Sequence, residues 1–268
     1  MTVTVVAQYL SDGLELALVI RLLSLRLHSV YRVFCAFLIV DLFSSAAFFV
    51  SLRYPSVDYR LVWMIFAPAT WILALWMLYA LLDAMLANLP GILRLSRKVL
   101  NFVYVLALAI ALFTARPEYS ASGLSANPDP VNRAFGVALV LDRAISTGAL
   151  LALVGMLVFI LWFPVQMPKN LVIFSIGSVV FFATTTVLWL AHTYLPFFRL
   201  RSTSNLEVIL HSACFAYWLI LINRAGETKP VRIGHMWGPA EQKRLEGQLE
   251  AMNAALLRAS RRENYREL

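Results

Sequence analysis

Apolar residues fill this chain in long blocks separated by short polar signals. Seven blocks approach or exceed the roughly 20 mainly apolar residues needed to cross a bilayer core. They lie at roughly 3–25, 31–52, 61–87, 99–115, 134–163, 170–194 and 204–223. The breaks between them read RLHSVYR (26–32), RYPSVDYR (53–60), NLPGILRLSRK (88–98), RPEYSASGLSANPDPVNR (116–133), PVQMPKN (164–170) and PFFRLRS (196–202). Backbone polar groups cannot stay unpaired in lipid, so each block is expected to be a helix. A membrane barrel would need short segments of alternating polarity, and none is present. No internal repeat is evident. The pattern predicts an all-α fold: a seven-transmembrane helical bundle over 1–224 and a tail over 225–268.

Beyond the last block the tail changes register. Gly238, Pro239, Ala240 and Glu241 form a helix start, with proline in the first turn. Leu245, Leu249, Met252, Leu256 and Ala259 then repeat at 4-3-4-3 spacing, interrupted in character by Gly247. A cytoplasmic amphipathic C-terminal helix is expected at about 239–266. It would rest on the inner leaflet, aided by Arg258, Arg261 and Arg262. Alternatively it would serve self-association or a cytoplasmic protein partner. The tail holds no kinase, cyclase or other output motif, so signalling would need a separate partner.

Composition supports the membrane assignment. Of 268 residues, 60% are hydrophobic and 14% charged, and the mean hydropathy is +0.73. Soluble domains run near about 45–50% apolar and about 25% charged. The net charge of +8 therefore speaks for orientation and contact with the lipid bilayer rather than for nucleic acid. With the N-terminus outside, the loops balance in basic residues. Arg224, Lys229 and Arg232, close behind the last span, then tip the C-terminus to the cytoplasm. The first 20 residues contain no Lys or Arg, which argues against a secretory signal peptide. Cys35 and Cys214 fall within apolar blocks, so no disulfide is expected between outer loops.

The chemistry sits where the blocks are interrupted. Residues 11–23, SDGLELALVIRLL, carry Asp12, Glu15 and Arg21 inside the first span. Asp12 and Glu15 are three apart and share a helix face. Arg21 lies deeper, where its long side chain can snorkel to headgroups. Asp142 and Arg143 fall in the outer part of span five, and His192 late in span six. Glu207 and His211, four apart, come early in span seven. Four helices thus bring ionisable groups to one depth, at a cost of about 2.5–3.5 kcal/mol for each charge at a span centre. Asp12, Glu15, Asp142 and Glu207 contribute four negative charges against the single positive charge of Arg143. Packed together they would take up protons, bind a cation or draw in an arginine such as Arg60 or Arg199. The structural alternative is interhelical hydrogen bonding. Asp41, mid-span in VDLFSS, stands apart as a proton or cation site or a buried hydrogen-bonded aspartate. Asp83 would be neutralised by Arg94, Arg97 or Lys98. Trp63, Trp162, Trp189 and Tyr194 near span ends suit interfacial anchoring.

Other chemistries are missing. None of the four lysines, Lys98, Lys169, Lys229 and Lys243, lies within a span, which excludes a retinal Schiff base in span seven. There is no phosphate-cradling glycine loop, nucleophile elbow, HExxH or paired-cysteine motif. A zinc site built from Glu207, His211, His192 and an aspartate remains an option. Alkaline ceramidases and progestin/adipoQ receptors bind zinc through histidines and an aspartate, and this chain is similar to them in helix count alone. Their HxxxH pair is replaced here by Glu207 and His211.

The segment YRVFCAFLIVDLF (31–43), together with the seven-span layout and basic tail, resembles a group of bacterial multi-pass membrane proteins with no assigned activity. That resemblance implies a bacterial inner membrane and supplies no catalytic residues. The expected function is receptor-like or sensory. A small, cationic ligand would enter an outward-facing pocket built from Asp12, Glu15, Asp142, Arg143, His192, Glu207 and His211. A proton or small-cation transporter is the alternative, and an intramembrane metal-dependent hydrolase comes third.

Overall fold

The computed structural model describes residues 3–54, 58–121, 130–163, 166–194, 200–232 and 238–264. Seven long helices run in order: α1 (Val3–Ser24), α2 (Arg32–Arg53), α3 (Tyr59–Met85), α4 (Pro90–Ala121), α5 (Pro130–Trp162), α6 (Lys169–Tyr194) and α7 (Leu200–Leu221). A single 3-10 turn at Leu27–Ser29 links the first two. One-turn α8 (Ala225–Thr228) and the tail helix α9 (Pro239–Asn264) follow. Among the described residues, five helices, α2 to α6, are long and apolar enough to cross a membrane. Helix α7 contributes a shorter apolar stretch, Asn205–Leu221, and α1 carries the charges described above.

Neighbour contacts close six helices into a ring. Helix α1 packs on α2 and α7, α2 on α3, α3 on α5, α5 on α6, and α6 on α7. Helix α4 lies outside this ring against α5 and α3, and α9 lies on α4. The ring interior is filled at one end by Leu18, Leu22, Leu38, Leu78, Leu153 and Ile222, all 0–1% exposed. The outer surface is apolar instead of polar. Ile65, Phe102, Phe113 and Ile220 are 66–72% exposed, an arrangement that lipid tolerates and water does not.

Three sequence expectations are corrected. First, the break expected over NLPGILRLSRK is confined to residues 86–89: Pro90 takes the first helical position and α4 runs on from it. Ile92 and Leu100 turn inward, while Arg94, Arg97 and Lys98 are exposed. The charges mark one face of a helix, not its end. Second, the chain is not purely α. Gln166–Pro168 (β1) pairs antiparallel with Pro230–Arg232 (β2), and Lys169 N–H donates to the Lys229 carbonyl at 3.1 Å. Strands this short have no readable period. Third, the apolar seam of the tail helix is covered in part, with Met252 and Ala259 left exposed. Leu245 and Leu249 are buried, and Met252 and Leu256 close an apolar cavity of about 310 Å³ against α3, α4 and α5.

Helix ends are fixed by side chains from distant elements. The Asn253 carboxamide oxygen of α9 accepts from Gly91 N–H at 2.6 Å and Ile92 N–H at 3.3 Å. It thereby caps the start of α4 from another helix. Any Cβ at Gly91 would collide with Asn253. Arg21 donates Nε (3.3 Å) and Nη2 (3.2 Å) to the Ile222 carbonyl at the end of α7. A cation there opposes the negative end of the helix dipole, which is a tertiary role and not simple snorkelling. Asp58 precedes α3 and accepts from the Arg60 N–H and guanidinium, which hold its carboxyl below the usual carboxylate range. Asp83 takes Arg97, of the three candidates, at 2.7 Å.

Candidate functional site

The filled part of the ring ends in an aromatic floor. Phe34 meets Phe174 edge-on at 4.5 Å between ring centroids and Trp218 at 5.0 Å. Phe181 reaches Phe37, Phe215 and Trp218 at 6.1–6.3 Å. The fit depends on Gly177, where a Cβ would collide with the Trp218 indole. Rings pack edge-to-face because their positive edges seek negative faces, so the cluster is tight and apolar.

Above this floor, toward the N-termini of α1, α3, α5 and α7, the ring holds a polar chamber with two lobes. The larger encloses about 420 Å³ between α1, α2, α3 and α7. Asp12 and Glu15 line it from α1, Asp41 and Ser45 from α2, and Glu207 and His211 from α7. The smaller lobe, about 210 Å³, is reached by Thr70 and Trp71 of α3, Asp142 and Ser146 of α5 and Thr185 of α6. Asp41, Ser44, Trp63 and His211 line both lobes.

Hydrogen bonds hold several of these groups. Gln8 Nε2 donates to Asp12 Oδ1 at 3.0 Å, and Ser45 is within hydrogen-bonding reach of the same carboxylate. The Trp71 indole N–H donates to Asp142 Oδ1 at 2.8 Å. His211 stacks on Phe181, centroids 4.0 Å apart and planes at 15°, with its Nε2 3.2 Å from the Thr185 hydroxyl. Glu15 differs from the rest. It is 1% exposed, and its Oε1 has no hydrogen-bond partner among the described residues although it lines the larger lobe. A buried polar oxygen without a partner is costly and calls for a physical explanation.

Five of the seven residues expected at the pocket, Asp12, Glu15, Asp142, Glu207 and His211, therefore line one chamber. Arg143 is buried to 3% exposure, close enough to Asp142 to attract it, and is not among the residues lining either lobe. The His192 side chain lies outside the described residues. Asp41 is not separate, as its mid-span position suggested, but lines both lobes. Trp63 is not a plain interfacial anchor either. It meets Trp71 and Phe135 edge-on and forms a chamber wall. Among the described residues, no three His, Cys, Asp or Glu side chains are grouped to hold a metal ion.

The opposite end of the bundle carries a polar knot that the sequence did not reveal. Glu227 Oε1 accepts from the Tyr31 hydroxyl and from Asn170 Nδ2, each at 2.7 Å. The same Asn170 amide donates to the Asn223 carbonyl at 2.7 Å and is 0% exposed. The one available signal was an asparagine at the head of an apolar helix, where a polar amide needs buried partners. The knot ties α8 and the end of α7 to the starts of α2 and α6. No protein-family model, curated protein or solved structure matches this chain.

Proposed function

We propose that this protein is a seven-span membrane receptor, N-terminus outside and C-terminus cytoplasmic, that binds a small cation in the acid-lined chamber. Helices α1 and α7 complete the bundle as spans because their polar residues face the chamber instead of lipid. The observation that carries the reading is Glu15, a deeply buried acid with an unpartnered oxygen, beside a cavity also lined by Asp12, Asp41 and Glu207. Carboxylates at such proximity repel one another, and a cation relieves both the repulsion and the missing partner. Binding without passage is favoured by the aromatic floor, which separates the chamber from the other end of the bundle.

Titration calorimetry of the purified protein in detergent with sodium, tetramethylammonium and 1-aminobutane tests the reading. Binding is expected for at least one cation, and weakened by Glu15→Gln and by Glu207→Gln. Failure of every cation to bind, or wild-type binding in both variants, would reject it. Transport is the second reading, favoured by Asp41, which lines both lobes. It requires the floor to move, and cation-coupled flux in proteoliposomes would support it over simple binding.

A further inference from the structure

The apolar cavity that Met252 and Leu256 close against α3, α4 and α5 holds about 310 Å³ and shares no residue with the acid-lined chamber. We propose that it seats one acyl chain of an anionic phospholipid, with the headgroup against the basic start of α4. Among the described residues, Ser96 alone brings a polar side chain to the lining. A buried water needs about two to four polar partners, so such a space stays dry. A dry apolar cavity of about 150 Å³ takes up benzene, and this one has about twice that room. An unfilled void forfeits contacts for every atom around it. Gly155 marks the open space, because a Cβ there would meet nothing within 4 Å.

Shape selects the occupant. Along α4 the lining runs from Ile92 to Val103, about 16 Å at roughly 1.5 Å per residue. That length and volume leave a cross-section of roughly 20 Å², enough for one hydrocarbon chain and too narrow for a helix about 10–12 Å across. Leu95, Val99, Leu151 and Met252 line the cavity and are 42–51% exposed, so its mouth opens on the outer surface of the bundle, where lipid tails would stand. Lipid tails are as apolar as the cavity, so seating a chain gives no selectivity by itself and the headgroup must supply it. Arg94 and Lys98 immediately precede Leu95 and Val99, and both are exposed. Among the described side chains of α9, the start of α4 and the end of α3, Arg94, Arg97, Lys98, Lys243, Arg244 and Arg258 stand against Asp83, Glu241, Glu246 and Glu250. Positive charge is in excess even with every acid paired, and it complements an anionic headgroup.

Native mass spectrometry of the purified full-length protein in detergent tests this with dioleoylphosphatidylglycerol, dioleoylphosphatidylcholine and oleate. The phosphatidylglycerol is expected to bind at least about fivefold more tightly than the phosphatidylcholine, the gain that one well-placed cation supplies. Gly155→Leu, which fills the void, is expected to remove one bound phosphatidylglycerol and to leave the thermal midpoint no lower. Arg94→Gln combined with Lys98→Gln should bring the two phospholipids to equal affinity. A phosphatidylglycerol carrying a diazirine on its acyl chain needs no variant to fold: it should crosslink to residues 151–160 and 252–256. Equal affinities of the wild-type protein for the two phospholipids, undiminished binding in folded Gly155→Leu, or no crosslink to either segment would each overturn the assignment. Tighter binding of oleate than of phosphatidylglycerol would give the cavity to a free fatty acid and overturn the phospholipid.

Discussion

Glu15 and Gly177 show how much a single position decides here. In the proposed seven-span arrangement Glu15 sits in a span, where a charge costs about 2.5–3.5 kcal/mol on insertion. Gly177 is the converse case, a position defined by what it leaves out. The Trp218 indole occupies the space a side chain would need. Gly177→Ala is expected to destabilise the fold by about 1–3 kcal/mol through overpacking. Trp218→Phe in the same chain should recover part of that loss, because the smaller ring vacates the space. Thermal unfolding of both single variants and the double variant gives the coupling, and strictly additive losses would contradict the contact.

At the level of elements, the tail helix is the clearest case of a role assigned by tertiary contact. Its 4-3-4-3 seam reads as a surface in search of a membrane or a partner, yet Leu245 and Leu249 are already buried in this chain. Asn253 adds a directional bond by capping α4. Asn253→Ala is expected to cost about 0.5–2 kcal/mol, the usual range for a lost cap. The loss should show as faster amide exchange in the first turn of α4 and faster proteolysis of α9. Unchanged protection at both places would mean that the cap contributes nothing. Helix α4 carries the same lesson. Its first turns look like a basic loop because three cations cluster there, but those cations occupy the outward face of a helix whose inward face packs.

For the whole molecule, the ring of six helices with α4 outside it is what turns scattered polar residues into a chamber. The seven-span proposal fixes which ends share a side. Cys35 and Cys214 are 6% and 4% exposed, so cysteines introduced at exposed positions report without interference. A membrane-impermeant maleimide applied to intact cells should label Tyr59→Cys. It should label Ser29→Cys and Glu241→Cys only after the membrane is opened. The inverse pattern would reverse the orientation and keep the spans, whereas Ser29→Cys and Glu241→Cys on opposite sides would break the seven-span count.

The sequence alone determined the apolar segments, most of their approximate ends, and that Asp12, Glu15, Asp142, Glu207 and His211 interrupt them. A bilayer requires each segment to satisfy its own backbone and length locally, and helical rise converts position into depth. It did not determine azimuth. Whether Asp41 faces the same space as Glu15, whether Trp63 is a wall or an anchor, and whether the tail is free or docked depend on which helix surfaces interlock. Those choices are made by residues far apart in the chain, as Asn170 and Glu227 or Asn253 and Gly91 show, and only the packed molecule brings them together.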